Sequence, residues 1–258
     1  MQDKKPLILV TNDDGVYSKG IRTLAEIASA YGEVIVSAPI EGQSGMSHAI
    51  TIKHPLRIRK ISSGKNITYF GCSGTPVDSV KLAMNKILKR RPDLVLSGIN
   101  HGSNAAASIV YSGTMAAAME GGINQIPAIG FSILDWDENA DFSHITGYIQ
   151  TIIKNVISTG LPAGVCLNVN MPKLNGKNIK GIKVCRQNSG YWQEEFEMRK
   201  DPFNKEYYWL TGEFKNLEPD ATDTDEWALK NNYISIVPVL TDLTCYKTLH
   251  LLKDWEKQ

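Results

Sequence analysis

The hydrophobic pattern in the first part of the chain alternates between short apolar runs and amphipathic segments. Residues 7–10 form an apolar run that ends at a polar Asp-Asp-Gly turn, which is typical of a buried strand. Apolar residues then recur with helical spacing from Ile21 to Ala28, and Gly32 is a natural helix stop. Residues 34–36 predict the next strand. Strand, helix and strand at this spacing predict a parallel sheet with right-handed crossovers.

The pattern beyond residue 50 predicts further elements of the same α/β sheet. Residues 50–61 and 67–70 alternate more loosely and predict a hairpin added to the sheet. Thr75, Pro76 and Asp78 have the spacing of a capping box at a helix start. The other predicted elements are strands at residues 94–96, 127–131 and 164–169, and helices at residues 112–120 and 145–156, the first ending at Gly121-Gly122.

From about Gln187 the alternation of strands and helices stops. Residues 191–214 mix aromatic and charged side chains and predict an extended hairpin arm that packs on another surface, in our interpretation a second subunit. A late strand at residues 234–237 and a terminal amphipathic helix at residues 246–257 follow. We therefore divide the chain into a core, residues 1–186, and a C-terminal part with the arm, late strand and terminal helix, residues 187–258.

Composition and charge narrow the class of protein. The chain has 258 residues, of which 42% are hydrophobic and 21% charged, so a folded globular protein is expected. Lys and Arg number 28 against 27 Asp and Glu, and there is no basic stripe. This balance argues against a nucleic-acid partner, and against base stacking as the role of the aromatic arm. A local site can still attract a small anion.

Cysteine usage and the absence of long apolar stretches predict the compartment. The four cysteines are far apart, lie in apolar or strand-like contexts and predict buried thiols rather than disulfides or a zinc site; they are Cys72, Cys166, Cys185 and Cys245. The apolar run at residues 7–10 is too short for a signal peptide, and no stretch reaches transmembrane length. The prediction is a cytoplasmic protein without a membrane partner.

Polar clusters follow three predicted strands, at residues 12–15, 37–48 and 97–104. Ligands bind outside the carboxyl ends of parallel strands, so these clusters are expected to converge. The adjacent carboxylates of Asp13 and Asp14 repel each other, and a bound cation would offset this repulsion. Mg²⁺ and Mn²⁺ accept carboxylate, hydroxyl and amide oxygens, which are also available nearby at Ser44 and Asn100. An ordinary Asp-Asp-Gly turn is the alternative interpretation.

The start of the predicted small-residue helix is a candidate phosphate site. Backbone N–H groups and the helix dipole at Ser112-Gly113-Thr114 favour an anion, and Gly113 allows close approach. Plain N-capping by Ser112 or Thr114 is an equally good interpretation of this segment. Neither a dinucleotide-binding glycine pattern nor a Gly-Lys-Ser/Thr phosphate loop is present.

Two histidines are candidates for a catalytic role. His101 can donate to a phosphate oxygen or act as an acid–base group, and His48 can line the same cleft. A lone histidine in a loop is more often structural or solvated, which is the alternative for each. The other three histidines, His54, His144 and His250, belong to no polar cluster.

Several motifs in a fixed order resemble the survival protein SurE family. Residues 8–15, followed by Ser18, Gly20 and Ile21, resemble the opening signature of that family. Later motifs fall in the same order: Ala38-Pro39 with Gln43-Ser44-Gly45, Gly74-Thr75-Pro76-x-Asp78, Ser97-Gly98-Ile99-Asn100-x-Gly102, Tyr111-Ser112-Gly113-Thr114 with Glu120-Gly121, and Thr222-Asp223-Thr224-Asp225 before residues 234–239. The resemblance spans nearly the whole chain.

The resemblance implies a metal-dependent nucleotidase with a Rossmann-like core, acting on nucleoside 5′-monophosphates and often 3′-monophosphates; polyphosphate is a further candidate substrate. By motif position, Asp13, Asp14, Ser44 and Asn100 match the ligands of one divalent cation, Mg²⁺ or Mn²⁺, per subunit. It also implies dimers or tetramers formed through C-terminal arms. The loop at residues 40–43 lacks the basic residues common there in the family, which leaves substrate preference open.

The candidate site therefore has three groups of residues. The catalytic candidates are Asn12, Asp13, Asp14 and His101; the substrate or phosphate candidates are Asn12, Gly45, Ser112, Gly113 and Thr114; the metal candidates are Asp13, Asp14, Ser44 and Asn100. Phosphomonoester hydrolysis is the favoured reaction. An aspartyl-phosphate enzyme with Asp13 as nucleophile ranks lower, because such enzymes usually place their two acids one residue apart. A nucleotide-binding regulator without chemistry is the third hypothesis.

Overall fold

The computed structural model describes residues 5–173, 176 and 178–257. Its strands are β1 (Leu7–Thr11), β2 (Glu33–Pro39), β3 (Ile58–Ser63), β4 (Ile67–Cys72), β5 (Leu94–His101), β6 (Ala128–Ile133), β7 (Val165–Met171), β8 (Ile182–Val184), β9 (Tyr191–Lys200), β10 (Glu206–Lys215) and β11 (Ile234–Leu240). Its α-helices are α1 (Lys19–Ala28), α2 (Pro76–Leu82), α3 (Gly113–Ile123), α4 (Ser143–Thr159), α5 (Asp225–Lys230) and α6 (Tyr246–Leu252). Short helical turns of other types occupy Ala83–Ile87, Ala106–Tyr111 and Lys253–Lys257.

Among the described residues, nine strands form one sheet in the order β3-β4-β2-β1-β5-β6-β7-β11-β8. Neighbours from β4 to β7 pair in parallel, whereas β3 is antiparallel to β4 and β11 is antiparallel to β7. This confirms the predicted Rossmann-like, mostly parallel α/β fold with flanking helices. The late strand belongs to this sheet, because β11 lies between β7 and β8. The division of the chain at residue 187 stays a prediction.

Strand β1 is buried on both faces, which explains its unbroken apolar run. Ile8 and Val10 pack into one hydrophobic cluster with side chains of α1 and α4, such as Leu24 and Ile149. Leu9 points to the opposite face and packs into a second cluster with side chains of α2 and α3, such as Met115. Helices therefore cover both faces of the sheet, and only its edges are available to a ligand.

Several predicted element bounds differ from the structure, and β5 continues to His101, so the polar cluster predicted to follow it begins within the strand. The hairpin strand begins at Ile58, not at residue 50, and the terminal helix is α-helical only over Tyr246–Leu252. Helix α3 continues through its glycine pair to Ile123. The glycine there has a packing role, because an added Cβ on Gly121 would lie 2.9 Å from the Cβ of Ala128 on the sheet. The predicted capping box at α2 is confirmed: Thr75 and Asp78 each accept a hydrogen bond from the other's backbone N–H.

The prediction that all four cysteines are buried is wrong for two of them. Cys72 and Cys166 lie in the core, whereas Cys185 is half-buried and Cys245 is exposed at the start of α6. Helix α6 has no buried residue, so the apolar residues that follow Cys245 in sequence do not carry it into the core. All four thiols are free, as expected.

The predicted hairpin arm is present as the antiparallel pair β9–β10. Every residue of β9 is exposed. Among the described residues, no helix has both the length and the apolar character needed to cross a membrane.

Candidate functional site

The turn after β1 places Asp13 and Asp14 at the carboxyl edge of the sheet. Asn12 lies beneath this turn with no exposed surface, and its side-chain N–H group donates to the Gly15 carbonyl at 3.1 Å and to Ser18 Oγ at 2.8 Å. Gly15 has a φ of +98°, a conformation that favours glycine. Asn12 thus holds the turn that presents the two carboxylates.

The N-terminus of α3 holds the Asp13 carboxylate. Thr114 Oγ1 donates to Asp13 Oδ1, and a Cβ added to Gly113 would lie 2.8 Å from Asp13 Cβ and 3.0 Å from its Oδ2. Ser112 Oγ accepts from the N–H group of Met115 at 3.0 Å, so Ser112 caps the helix. The capping interpretation is therefore realised for Ser112, and the anion that this helix terminus contacts is the protein's own carboxylate.

The two carboxyl groups are in an environment that disfavours their charge. Burial raises the pKa of Asp13, although the hydroxyl of Thr114 and the nearby backbone N–H groups act in the opposite direction. Burial and then the charge of Asp13 raise the pKa of Asp14 to about 6, against an opposing effect of His101. A positive charge between the two carboxylates would offset their mutual repulsion and lower both pKa values.

Unpartnered oxygen atoms mark the same place. Asp14 Oδ2 and Asn12 Oδ1 are both buried and have no hydrogen-bond partner in the described part of the chain. Buried polar atoms without a partner are rare, because leaving them unpaired is unfavourable. Carboxylate and amide oxygens are the ligands that hard divalent cations prefer, so the residues present fit such a cation.

One further loop and the end of strand β5 bring oxygen atoms to this turn. The N–H group of Gln43 donates to the Asp13 carbonyl at 2.7 Å, which places the loop containing Ser44 beside the carboxylates. In the neighbouring strand, Ser97 pairs with Gly130 and Asn100 with Ser132, so β5 has one extra residue between them. Such a bulge redirects a side chain at a strand end. The Asn100 side-chain N–H group donates to the Gly102 carbonyl at 2.9 Å, which leaves its oxygen for another partner.

Two adjacent clefts bring most of the predicted site residues together. Asp14, Ser44 and His101 line the first cleft. The second cleft is lined by Asp13, Ser44, Gly45, Asn100, His101 and Ser112. Asn12, Gly113 and Thr114 line neither cleft and lie beneath the carboxylates instead. All four predicted metal ligands therefore line one or both of two clefts that share Ser44 and His101, while three of the predicted phosphate residues lie outside both clefts.

The metal candidates include only two carboxylates. Over residues 5–173, 176 and 178–257, no group of three or more His, Cys, Asp or Glu side chains is placed to hold a metal. A cation here would therefore depend on the hydroxyl of Ser44 and the amide of Asn100, and on water molecules, as is common for Mg²⁺.

Of the two candidate histidines, one lines the clefts and the other lies outside them. The His101 ring lines both clefts, and its Nδ1 lies 3.2 Å from the Asp135 carbonyl, which orients the ring. His48 does not line these clefts; its Nε2 lies 3.3 Å from Glu120 on α3. Hydrogen bonds from His48 and from Lys81 keep the pKa of Glu120 low, although burial alone would raise it. His48 therefore braces the loop that carries Ser44, and His101 is the better acid–base candidate.

Sequence reasoning missed a buried amide network under the second cleft. Asn104 donates from its side chain to Ser132 Oγ at 2.8 Å, and its N–H group donates to Asn170 Oδ1 at 2.8 Å. Asn168 donates to the Asn104 carbonyl and accepts from Asn170. These contacts fix the loop after β5. The signal available in the sequence was the presence of two asparagines in an otherwise apolar strand, β7.

We expect magnesium to bind the protein about tenfold more weakly at about pH 5 than at about pH 7.5. Asp14 has a folded-state pKa of about 6 against an ordinary value of 3.8, so the cation-free fold gains stability from this group as the pH falls through 6. At the lower pH a cation must displace that proton. Thermal melting with and without Mg²⁺ at each pH measures the difference, because titrating groups that do not contact the cation contribute equally with and without it. Asp14→Asn is expected to reduce the pH dependence; equal magnesium affinities at the two pH values in the unmodified protein would contradict this assignment.

Together, the sheet and its clefts define a class: a Rossmann-like α/β protein with an oxygen-lined, acidic cleft at the carboxyl edge of its parallel strands. The chain belongs to the Survival protein SurE family, whose model matches residues 8–194.

Known proteins similar to this chain cover almost all of it. A protein named 5′-nucleotidase SurE from Flavobacterium johnsoniae is 56% identical over 257 residues, which is 99% of each chain. Another of that name, from Christiangramia forsetii, is 54% identical over 257 residues, covering 99% of this chain and 98% of the relative. The crystal structure of the SurE protein from Aquifex aeolicus superposes with a TM-score of 0.82 at 41% identity, covering 97% of this chain and 100% of that one.

Proposed function

We propose that this protein is a 5′-nucleotidase that uses one divalent cation to hydrolyse nucleoside 5′-monophosphates to nucleoside and inorganic phosphate. The observation that supports this most is that Asp13, Asp14, Ser44 and Asn100, from two loops and the end of β5, line two clefts that share Ser44 and His101, and that a buried Asp14 oxygen there has no partner among the described residues. The names of the curated relatives agree with this activity. Nucleoside 3′-monophosphates and polyphosphate are further candidate substrates.

Each residue has a distinct part in this proposal. Asp13, Asp14, Ser44 and Asn100 would hold the cation, Mg²⁺ or Mn²⁺. When bound, such a cation polarises a phosphate oxygen and lowers the pKa of water. Thr114 and Gly113 keep Asp13 in place through the hydroxyl and the close packing described above. Gly45 and Ser112 line the cleft where the phosphate would lie.

His101 is the proposed acid–base residue. Hydrolysis forms a bond from a water oxygen to phosphorus and breaks the bond from phosphorus to the nucleoside oxygen, which must gain a proton. The His101 ring lines both clefts and is oriented through its Nδ1, so it is placed to give that proton. Asp13 is a poor candidate for a covalent nucleophile, because it is only 4% exposed and its Oδ1 already accepts from Thr114.

The activity is tested by phosphate release from a panel of mononucleotides, with EDTA and with several divalent metals. We expect release that EDTA abolishes and that Mg²⁺ or Mn²⁺ restores. Acid-quench labelling with a phosphorylated substrate is expected to leave no label on the protein, because no aspartyl-phosphate forms. Phosphate release that persists in EDTA would overturn the metal dependence, and no release from any nucleotide would favour a binding protein.

The arm supports a homo-oligomer, a dimer or a tetramer, as a second part of the proposal. The β9–β10 register places Trp192 opposite Phe214, Phe196 opposite Leu210 and Met198 opposite Tyr208 on one face. The opposite face carries pairs with charged members, such as Glu197 with Trp209. An exposed apolar face of this kind typically marks an association surface.

The cytoplasm is the proposed location, which suits four free cysteines.

We expect light scattering at micromolar concentration to give at least a dimer. Replacing Phe196 by Asp is expected to produce a smaller species, because it places a charge in the middle of the apolar face. Glu195→Ala, on the other face of the same strand, is the matched control and is expected to keep the assembly. A monomeric unmodified protein would mean that the arm has no partner subunit.

A further inference from the structure

One aromatic side chain at the clefts has no part in the proposed chemistry. Trp136 follows β6 and lines both clefts beside Ser44 and His101. It is 79% exposed, the largest exposed fraction among the tryptophans that line these clefts. Tryptophan combines a large apolar face with a low entropic cost of ordering, so an exposed tryptophan at a ligand cleft is a candidate contact residue.

The ring of Trp136 is held in position by the backbone beneath it. A Cβ added to Gly102 would lie 2.4 Å from Cη2 and 2.7 Å from Cζ3 of Trp136, so the ring packs directly on the glycine. Gly102 follows His101 in the chain. The tryptophan is therefore anchored against the same loop that supplies the acid–base candidate.

The loop that carries Trp136 is fixed on both sides. Lys173 Nζ lies 2.8 Å from Asp135 Oδ1, which also accepts from the N–H group of Asp137 at 3.2 Å. Further along, Lys19 Nζ donates to the carbonyls of Asn139 and Ala140 at 3.0 Å and 2.8 Å. A braced loop keeps an exposed ring in one place, which reduces the entropy lost when a ligand stacks on it.

We propose that Trp136 binds the base of the nucleotide by stacking and so makes a nucleotide a better substrate than a phosphate ester without a base. The inference rests on the proposed function, because it places the phosphate beside Asp13 and Ser112. The same cleft is also lined by the aromatic side chains of Tyr111, Trp192 and Trp136, so a base has aromatic surface available within reach of that phosphate position. Stacking on an aromatic side chain tolerates every base, because each base has a π face.

The test compares adenosine 5′-monophosphate with ribose 5-phosphate, which has no base. For Trp136→Ala we expect KM for the nucleotide to rise about tenfold with little change in kcat, and unchanged kinetics with ribose 5-phosphate. Trp136→Phe keeps a stacking surface and is expected to retain most of the affinity. Trp255→Ala is the matched control, because Trp255 is 69% exposed and lies outside both clefts.

Other outcomes separate the inference from the proposed function. Equal losses with the two substrates would give Trp136 a structural role, and no loss with either would place the base elsewhere; both overturn the inference. A change of mass in light scattering for Trp136→Ala would instead assign the ring to a contact between copies of this chain. If the unmodified protein hydrolyses neither substrate, the proposed function fails, and calorimetric binding of the nucleotide to the same variants still decides whether Trp136 holds the base.

Discussion

Asp13→Asn and Asp14→Asn are each expected to lower kcat/KM for nucleoside monophosphates by at least about 10²-fold, or roughly 3 kcal/mol of transition-state stabilisation. Both changes keep the size of the side chain and remove a negative charge. The amide oxygen that Asp13→Asn introduces would still accept from the Thr114 hydroxyl, so the fold is expected to survive. Phosphate release across a range of Mg²⁺ or Mn²⁺ concentrations, together with thermal melting, measures both effects.

Glu41→Gln is the matched control for these variants. Glu41 is an exposed acid in the loop that leads to Ser44, and it lines neither cleft. We expect unchanged kinetics for it, because removing a solvated surface charge has little effect. Near-normal activity of either aspartate variant in the presence of EDTA would end the metal hypothesis, whatever the control shows.

Gly113→Val is expected to lower kcat/KM by about 10²-fold or more, with Gly113→Ala intermediate at about tenfold. The structural reason is contact with Asp13: the added Cβ would lie 2.8 Å from Asp13 Cβ, so the carboxylate must move. Moving Asp13 also changes the lining of the cleft that Asp13 shares with Ser112, which is expected to weaken inhibition by inorganic phosphate. Because the metal candidate itself is displaced, we expect weaker Mg²⁺ binding as well, together with a lower melting temperature from the overpacked contact.

Gly147→Ala provides the comparison, because a Cβ added there in α4 meets no atom of the described residues within 4 Å. This change is expected to leave the kinetics unaltered and to stabilise the helix by up to about 1 kcal/mol. Unchanged kinetics in Gly113→Val would instead mean that the start of α3 serves only to cap the helix.

Periodicity predicted those elements whose burial follows from their own sequence. The β1–α1–β2 unit was predictable because each strand is covered on both faces and α1 has a single apolar side. The start of the edge hairpin was not, because residues 50–57 bond to side chains elsewhere: the N–H group of Thr51 donates to Asp78 Oδ1, and that of Arg57 to Ser73 Oγ. Loose alternation cannot distinguish such a segment from a strand.

The sequence by itself determined the fold class and pointed to Asp13 and Asp14. Hydrophobic periodicity and the ends of strands depend on residues that are close together in the sequence, so both can be recognised without the structure. Only the tertiary structure decided which distant groups meet. Thr114 reaches Asp13 across 101 positions of sequence, and this contact makes the helix start a support for the carboxylate. The placement of Trp136 on Gly102 is of the same kind. Such contacts depend on how the connections between parallel strands bring distant segments to the same edge of the sheet. The propensities of residues that are close in sequence do not predict this.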